Sequence, residues 1–318
     1  MKVLVTGAGS VLGQAIIKSL KAIKAFDIEI HVVDPRPDAV GFYMADAHHF
    51  IPYAKDTSYM HEFKQLLKSI KPEFVFIGTD TELSIISSEK ASLEEEFHTS
   101  IIVSSPDIIK MADDKYKTYQ YLTSIGFDAP KTYLPKDINN LETLQYPVIL
   151  KPRIGARSIG VQLIQSAESL THQLSTNEDQ IIQEYLSSST EYTAGVVYFD
   201  DENIASIVME RTLKDGNTFT AVPLAYSWIN ESLEALTKKI KPFGPINFQF
   251  KIQDSKIMIF EINARFSGTT HFRSLANFNE VEMVIAFLKY NNPIRQPQIN
   301  STIQLLRYYD EIVVNKSN

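Results

Sequence analysis

The chain has 318 residues, 44% of them hydrophobic and 22% charged, a length that supports two or three layered units with their own cores rather than one small module. Its 31 Lys and Arg against 38 Asp and Glu give a net charge of -7, which offers no sequence-independent attraction to a nucleic-acid backbone. The absence of cysteine excludes disulfides, thiolate metal sites and a Cys nucleophile.

Residues 2–6, KVLVT, are a short apolar run that ends in Gly7-Ala8-Gly9-Ser10, and Val11 to Ala22 carries apolar residues at helical spacing. Gly and Thr interrupt this start before a signal-peptide core can form. No apolar run approaches the ~18 residues that cross a bilayer, so a cytoplasmic protein without a membrane partner is expected. A second strand, Glu29 to Val33, ends in Asp34-Pro35-Arg36-Pro37, and a third, Glu73 to Ile77, ends in Gly78-Thr79-Asp80 ahead of another helix. Strands alternating with helices predict a parallel sheet with right-handed crossovers, closing near Ser104-Ser105-Pro106. A helix of roughly Ile108 to Ile125 follows, stopped by Gly126, then Pro130 and strands around Tyr146 to Lys151 and Gly160 to Ile164. Antiparallel strands over Gln180 to Leu186, Tyr192 to Phe199, Ile204 to Arg211, Ile246 to Ile252 and Lys256 to Asn263 make the second half α+β. Phe248, Phe250, Phe260 and Phe266 alternate with polar residues and read as core.

The turn Gly7-x-Gly9-x-x-x-Gly13 follows a strand and opens a helix, where backbone N–H groups can receive a pyrophosphate. Asp34 ends the second strand, where a ribose-binding acid sits in a dinucleotide domain. Taken alone, these features suggest a nicotinamide-dependent oxidoreductase. The competing reading is that the glycines only let the first turn pack tightly, and no Tyr-x-x-x-Lys pair occurs in the chain to transfer a proton.

The second half carries an ordered set of polar residues. Asp113-Asp114-Lys115 caps a helix, and Gly126-Phe127-Asp128-Ala129-Pro130 follows it. The strand Pro147-Val148-Ile149-Leu150-Lys151-Pro152 runs into Arg153-Ile154-Gly155-Ala156-Arg157-Ser158-Ile159-Gly160-Val161. Gln183-Glu184-Tyr185-Leu186 precedes Glu191 by a few residues, and Gln249 lies twelve residues before Glu261-Ile262-Asn263-Ala264-Arg265. In this order the motifs resemble the ATP-grasp superfamily, in particular the ATP-grasp unit of the carbamoyl phosphate synthetase large subunit and related carboxylate–amine ligases.

The resemblance implies a Rossmann-like parallel-sheet (pre-ATP-grasp) domain over residues 1–107. A two-subdomain ATP-grasp fold over 108–318 follows, with a lid at about 116–182. It implies an ATP-dependent ligase that joins a small-molecule carboxylate to an amine, or to a thiol, through an acyl phosphate, releasing ADP and phosphate. ATP and Mg²⁺ or Mn²⁺ are the implied cofactors, and a homo-oligomer stays open. A protein that keeps the ATP site without turnover is a further alternative. Lys115 and Lys151 would bind phosphates, Glu184 and Leu186 would form the hinge at the base, and Glu191 would hold the ribose.

Gln249, Glu261 and Asn263 would form a partial metal shell of hard oxygens. Alternation would place Glu261, Asn263 and Arg265 on one strand face. Arg265, Lys151 and Arg211 are the catalytic candidates, Arg265 because its fork matches a transferring phosphoryl group. The loop Gly155 to Gly160 has fewer glycines than that family's usual phosphate loop, and its Arg157 is a candidate contact to the γ-phosphate or the substrate. Met209 to Gly216 reads as a basic turn that can face the acceptor site or be a plain exposed hairpin. Asp80 and Glu82, at the C-terminal end of a sheet strand, are candidates to receive the second substrate's amine.

Overall fold

The computed structural model describes residues 1–155, 158–174, 179–225 and 227–314. The chain opens with β1 (Lys2–Val5), α1 (Val11–Ala22), β2 (Glu29–Asp34), β3 (Ala47–Phe50), α2 (Tyr59–Ile70), β4 (Phe74–Phe76), α3 (Asp80–Phe97) and β5 (Ser100–Ile102). These strands form one parallel sheet in the order β3-β2-β1-β4-β5, with β1 paired to both β2 and β4. A sheet covered on both faces needs strands apolar on both sides, and Val3, Leu4, Val5 and Phe74, Val75, Phe76 are all buried. The sequence expectation lacked β3 and β5, which are only four and three residues long; β3 alternates half-buried and exposed residues in AHHF.

The glycines of the first turn serve close packing. A Cβ on Gly13 would fall 2.2 Å from Gly7 O, and one on Gly78 would fall 2.0 Å from Thr6 O. Helix α1 thus sits directly on the ends of the central strands. A Cβ on Gly9 would meet Arg36 Nη2 at 2.1 Å. Asp34 accepts from Gly9 N–H at 2.7 Å and from Arg36 Nε at 3.1 Å, and it is 2% exposed. Its carboxylate is committed to holding this turn, which corrects the ribose-acid reading of Asp34.

The expected helix of Ile108 to Ile125 is two helices, α4 (Pro106–Asp113) and α5 (Lys115–Ser124). Asp114, with extended φ/ψ, breaks them and caps α5 by accepting from the N–H groups of Tyr116 and Lys117. Apolar periodicity ran through the break because both helices bury a face against the same core. Gly126, at φ +78, turns the chain after α5. A four-stranded antiparallel sheet, β6-β9-β7-β8, is then built from β6 (Thr132–Tyr133), β7 (Val148–Pro152), β8 (Gln162–Ile164) and, after α6 (Ala167–Leu174), β9 (Gln180–Glu184). Its small core is Val148, Leu150, Ile164, Leu170 and Ile182.

The remaining elements are β10 (Glu191–Tyr198), β11 (Ile204–Lys214), β12 (Asn217–Pro223), α7 (Trp228–Ile240), β13 (Gly244–Gln253), β14 (Lys256–Asn263), α8 (Thr270–Leu275), α9 (Glu280–Tyr290) and β15 (Leu305–Leu306). They form a six-stranded antiparallel sheet in the order β14-β13-β10-β11-β12-β15, with α7 packed on one side. The Met209 to Gly216 turn is corrected here: β11 continues through Lys214, only Asp215 and Gly216 turn the chain, and β12 returns beside it. Core clusters run across the joint with the parallel-sheet domain, as in the Phe76 and Phe266 rings 5.8 Å apart, so the six-stranded sheet is braced from behind by that domain. Among the described residues no helix is long and apolar enough to cross a membrane.

Candidate active site

A cleft lies between the four-stranded sheet and the inner face of the six-stranded sheet. Lys115, Lys151, Glu184, Leu186, Glu191, Gln249 and Glu261, seven of the residues singled out from the sequence, line it together. Strand register explains the meeting of the acids. Glu191 of β10 pairs with Arg211 of β11, Gln249 of β13 pairs with Glu261 of β14, and Asn247 pairs with Asn263.

These residues form a continuous chain of hydrogen bonds. Arg211 Nη2 donates to Glu191 Oε1 at 2.5 Å and to Gln249 Oε1 at 2.6 Å. Gln249 Nε2 and Asn263 Nδ2 both donate to Glu261 Oε1, each at 3.0 Å. Arg265 donates from Nη2 to Asn263 Oδ1 at 2.9 Å and from Nε to Asp80 Oδ1 at 2.6 Å. Arg211 is therefore turned into the cleft wall by Glu191 and Gln249; further along β11, Leu213 lines the cleft and Lys214 is exposed. Asn263 and Arg265 join the cleft residues through Glu261 rather than by lining the cavity.

The donor set fits a magnesium or manganese ion in part. It offers one carboxylate and two amide oxygens, hard ligands that leave positions for water and phosphate oxygens. Among the described residues no cluster of three or more His, Cys, Asp or Glu forms a self-sufficient metal site. Both amide oxygens are engaged by arginines, and both amide nitrogens face Glu261. To ligate beside Glu261, each amide must present its oxygen where it now presents its nitrogen, releasing Arg211 and Arg265.

Lys151, on β7, is 6% exposed and donates to Gln183 Oε1 at 2.8 Å, with Gln183 Nε2 donating in turn to Thr132 Oγ1 at 2.8 Å. Burial lowers the ammonium's pKa to about 8, Lys115 adds to the lowering, and Glu261 and Glu191 oppose it. Polyphosphate affinity is therefore expected to be flat below pH 8 and to fall by up to about tenfold per unit above it, because only the protonated lysine is cationic. Calorimetric titration with MgADP between pH 7 and 9.5 reads this directly. A flat profile would remove Lys151 from the phosphate contacts.

Lys115 begins α5 and donates from Nζ to Gly155 O at 2.7 Å. Asp114 beside it is held by two short bonds from Arg153, at 2.8 and 2.7 Å. Burial alone would raise the Asp114 pKa, but Arg153 and the α5 N–H groups outweigh it and keep the carboxyl below its usual range. This cluster ties the start of α5 to the end of β7. At the hinge, Glu184 donates its backbone N–H to Lys131 O at 2.8 Å and accepts the Lys131 N–H on Oε2 at 3.0 Å.

Several expectations change. Phe260 is not core: β14 has a bulge in which Gln249 pairs with Glu261 and Phe250 with Ile259, leaving Phe260 as the extra residue. Alternation fails there, and Phe260 and Glu261 both face the cleft, with Lys151 Nζ 5.6 Å from the Phe260 ring. Glu82 is 3% exposed, accepts a short hydrogen bond from Thr6 Oγ1, and has its pKa raised to about 7, mainly by burial. It cannot receive an amine from solution. Asp80 instead binds Arg265. Arg157 lies outside the described residues.

Sequence reasoning named Gln183 and Tyr185 only as part of the hinge motif and missed Lys251; all three line the cleft. Lys251 was within reach, being two residues from Gln249 on the same strand face. It also missed Arg273, 1% exposed, which pairs with Glu280 and donates to Asn247 on β13, two residues from Gln249. No sequence signal separates such a buried arginine from an exposed one.

Comparisons with known proteins agree with this fold. Residues 112–269 match the family model described as ATP-grasp domain, and residues 3–102 match that described as PylC-like, N-terminal domain. The carbamoyl phosphate synthase large chain of Methanothrix thermoacetophila is 22% identical over 329 residues, covering 94% of this chain. That of Haemophilus ducreyi is 21% identical over 340 residues, covering 97%. The chain spans 30% of the length of each. Among solved structures, N5-carboxyaminoimidazole synthetase from Staphylococcus aureus complexed with ADP superposes with a TM-score of 0.73 at 19% identity, covering 94% of this chain and 79% of that one. The biotin carboxylase domain of Hydrogenobacter thermophilus 2-oxoglutarate carboxylase, in complex with MgADP, ADP and bicarbonate, gives 0.72 at 16% identity, covering 93% and 71%. At these identities the likeness is one of fold. The chain thus carries an ATP-grasp domain over residues 112–269, joined to a PylC-like N-terminal domain over residues 3–102.

Proposed function

We propose that this chain is an ATP- and magnesium-dependent ligase that joins a small-molecule carboxylate to an amine through an acyl phosphate. The observation that carries the reading is the convergence of Lys115, Lys151, Glu191, Gln249 and Glu261 on one cleft, with Asn263 and then Arg265 linked to Glu261 by two successive hydrogen bonds. Two lysines and two carboxylates at that density suit a nucleotide polyphosphate and its metal. The four-stranded sheet, Thr132 to Glu184, is the lid; α5 packs on α4 and β14 and belongs to the body.

Lys151 and Lys115 neutralise phosphate charge, Glu191 is placed for the ribose, and the segment after Glu184 meets the base. Bound metal would supply Lewis-acid polarisation of the transferring phosphoryl group, held by Glu261 with the amides of Gln249 and Asn263. A substrate carboxylate oxygen attacks the γ-phosphorus and ADP leaves. The amine then attacks the acyl carbon, phosphate leaves, and the spare proton passes to solvent. Arg265 braces the developing charge, and no side-chain nucleophile is needed. An oxidoreductase on the first glycine turn is disfavoured because Arg36 and Asp34 occupy that turn.

The test is a panel of carboxylates with ATP and Mg²⁺, without an amine acceptor and with added hydroxylamine. The expected result is a hydroxamate formed together with ADP and phosphate, since a small strong nucleophile captures an acyl phosphate. A stable phosphorylated alcohol, or reduction of NAD(P)⁺ without ATP consumption, would show that the chemistry is wrong.

A further inference from the structure

The hinge after Glu184 is held by β13 as much as by its own backbone. Residues two apart on a strand share a face, so Gln249, Lys251 and Gln253 lie in a row. Gln249 belongs to the hydrogen-bonded group around Glu261. Lys251 Nζ donates to the carbonyls of Ser188 at 2.6 Å and Leu186 at 3.3 Å, and Ser187 N–H donates to Gln253 Oε1 at 3.0 Å. The Lys251 ammonium also lies 5.9 Å from the Tyr185 ring. Three consecutive hinge residues are thus fixed by two side chains of one strand.

Packing does not call for a lysine here. A half-buried apolar residue would cover this part of β13 without the cost of partly desolvating an ammonium. The lysine supplies donors to a segment that has left its sheet after Glu184, so that the carbonyls of Leu186, which lines the cleft, and Ser188, just beyond it, are satisfied. An ammonium has three N–H donors, and the two hinge carbonyls take two of them.

We propose that Lys251, supported by Gln253, is the positioning residue that sets nucleobase selectivity, by fixing the main chain of Leu186 to Ser188 in one register against the base. The proposal rests on the reading of this cleft as a nucleotide site. A fixed hinge discriminates because a mismatched base leaves its groups unpaired, whereas a loose hinge adapts to either base. The wild-type chain therefore favours adenine over guanine nucleotides.

The test is calorimetric titration of the full chain with MgADP and with MgGDP, for wild type, Lys251→Met, Lys251→Arg and Gln253→Ala, alongside each melting temperature. Lys251→Met is expected to weaken MgADP binding about tenfold and to bring the MgADP and MgGDP dissociation constants together. Lys251→Arg, which can still donate to both carbonyls, should keep the wild-type ratio, and Gln253→Ala should narrow it by less. If Lys251→Met fails to fold, the contrast between Lys251→Arg and Gln253→Ala decides. A wild-type ratio in Lys251→Met, or equal weakening for both nucleotides, would overturn the positioning role while leaving the nucleotide site standing. A wild-type chain that binds neither nucleotide would overturn both.

Discussion

Glu261→Gln is expected to reduce ADP release by at least about 10²–10³-fold while leaving the fold intact. The substitution removes the one charge in the Gln249, Glu261 and Asn263 set but keeps its shape. A glutamine Oε1 can still accept from Gln249 Nε2 and Asn263 Nδ2, so the bonds that hold β13 to β14 at this point survive. Nucleotide affinity should fall less than the rate, because a metal contributes most where charge develops during transfer. Turnover is to be read at ordinary and raised Mg²⁺, with MgADP binding and melting temperature measured on the same sample. Near wild-type turnover at ordinary Mg²⁺ would remove Glu261 from the metal site.

Arg265→Ala is expected to suppress hydroxamate formation by a similar factor, about 10²–10³, since it removes a preorganised charge next to the transferring group. The structure adds a second cost to this variant. Arg265 spans from Asn263 to Asp80 of the parallel-sheet domain and also donates to Phe266 O at 2.9 Å, so its loss frees the start of the loop after β14 from that domain. Arg265→Lys separates the two effects, because a lysine keeps the charge without the fork. If charge alone matters, the lysine variant recovers most of the rate. If the bridge to Asp80 matters, it resembles the alanine variant. An alanine variant with an unaltered hydroxamate yield would place the transfer elsewhere.

Much of the architecture was readable in the sequence because it rests on local chemistry. Continuous apolar runs such as KVLV gave the parallel sheet, and the resemblance of the Lys151 strand and the Glu261-x-Asn263 strand to ATP-grasp motifs implied the cleft that Lys151 and Glu261 line together. Each such reading needs only a period-two face or a run of apolar residues, which a strand imposes whatever its neighbours are. Short strands such as β3 and β5 were lost for the same reason: three or four residues are too few to show a period.

The residues that failed depend on contacts between elements. Phe260 turns to the cleft because one extra residue in β14 is accommodated against β13, a property of the pair of strands and not of either one. Glu82 was read as a ligand from its place after a strand. Its burial against Thr6, 76 residues earlier, makes it an interior carboxyl. The glycine turn looked like a phosphate cradle until Arg36 and Asp34 folded onto it. By itself the sequence determined the order of the sheets and which polar residues share a strand face, because those follow from backbone periodicity. Only the tertiary structure decided which of those residues are engaged by one another, as Arg211 with Gln249 and Lys251 with the hinge, because hydrogen-bond partners across strands are chosen by register and burial.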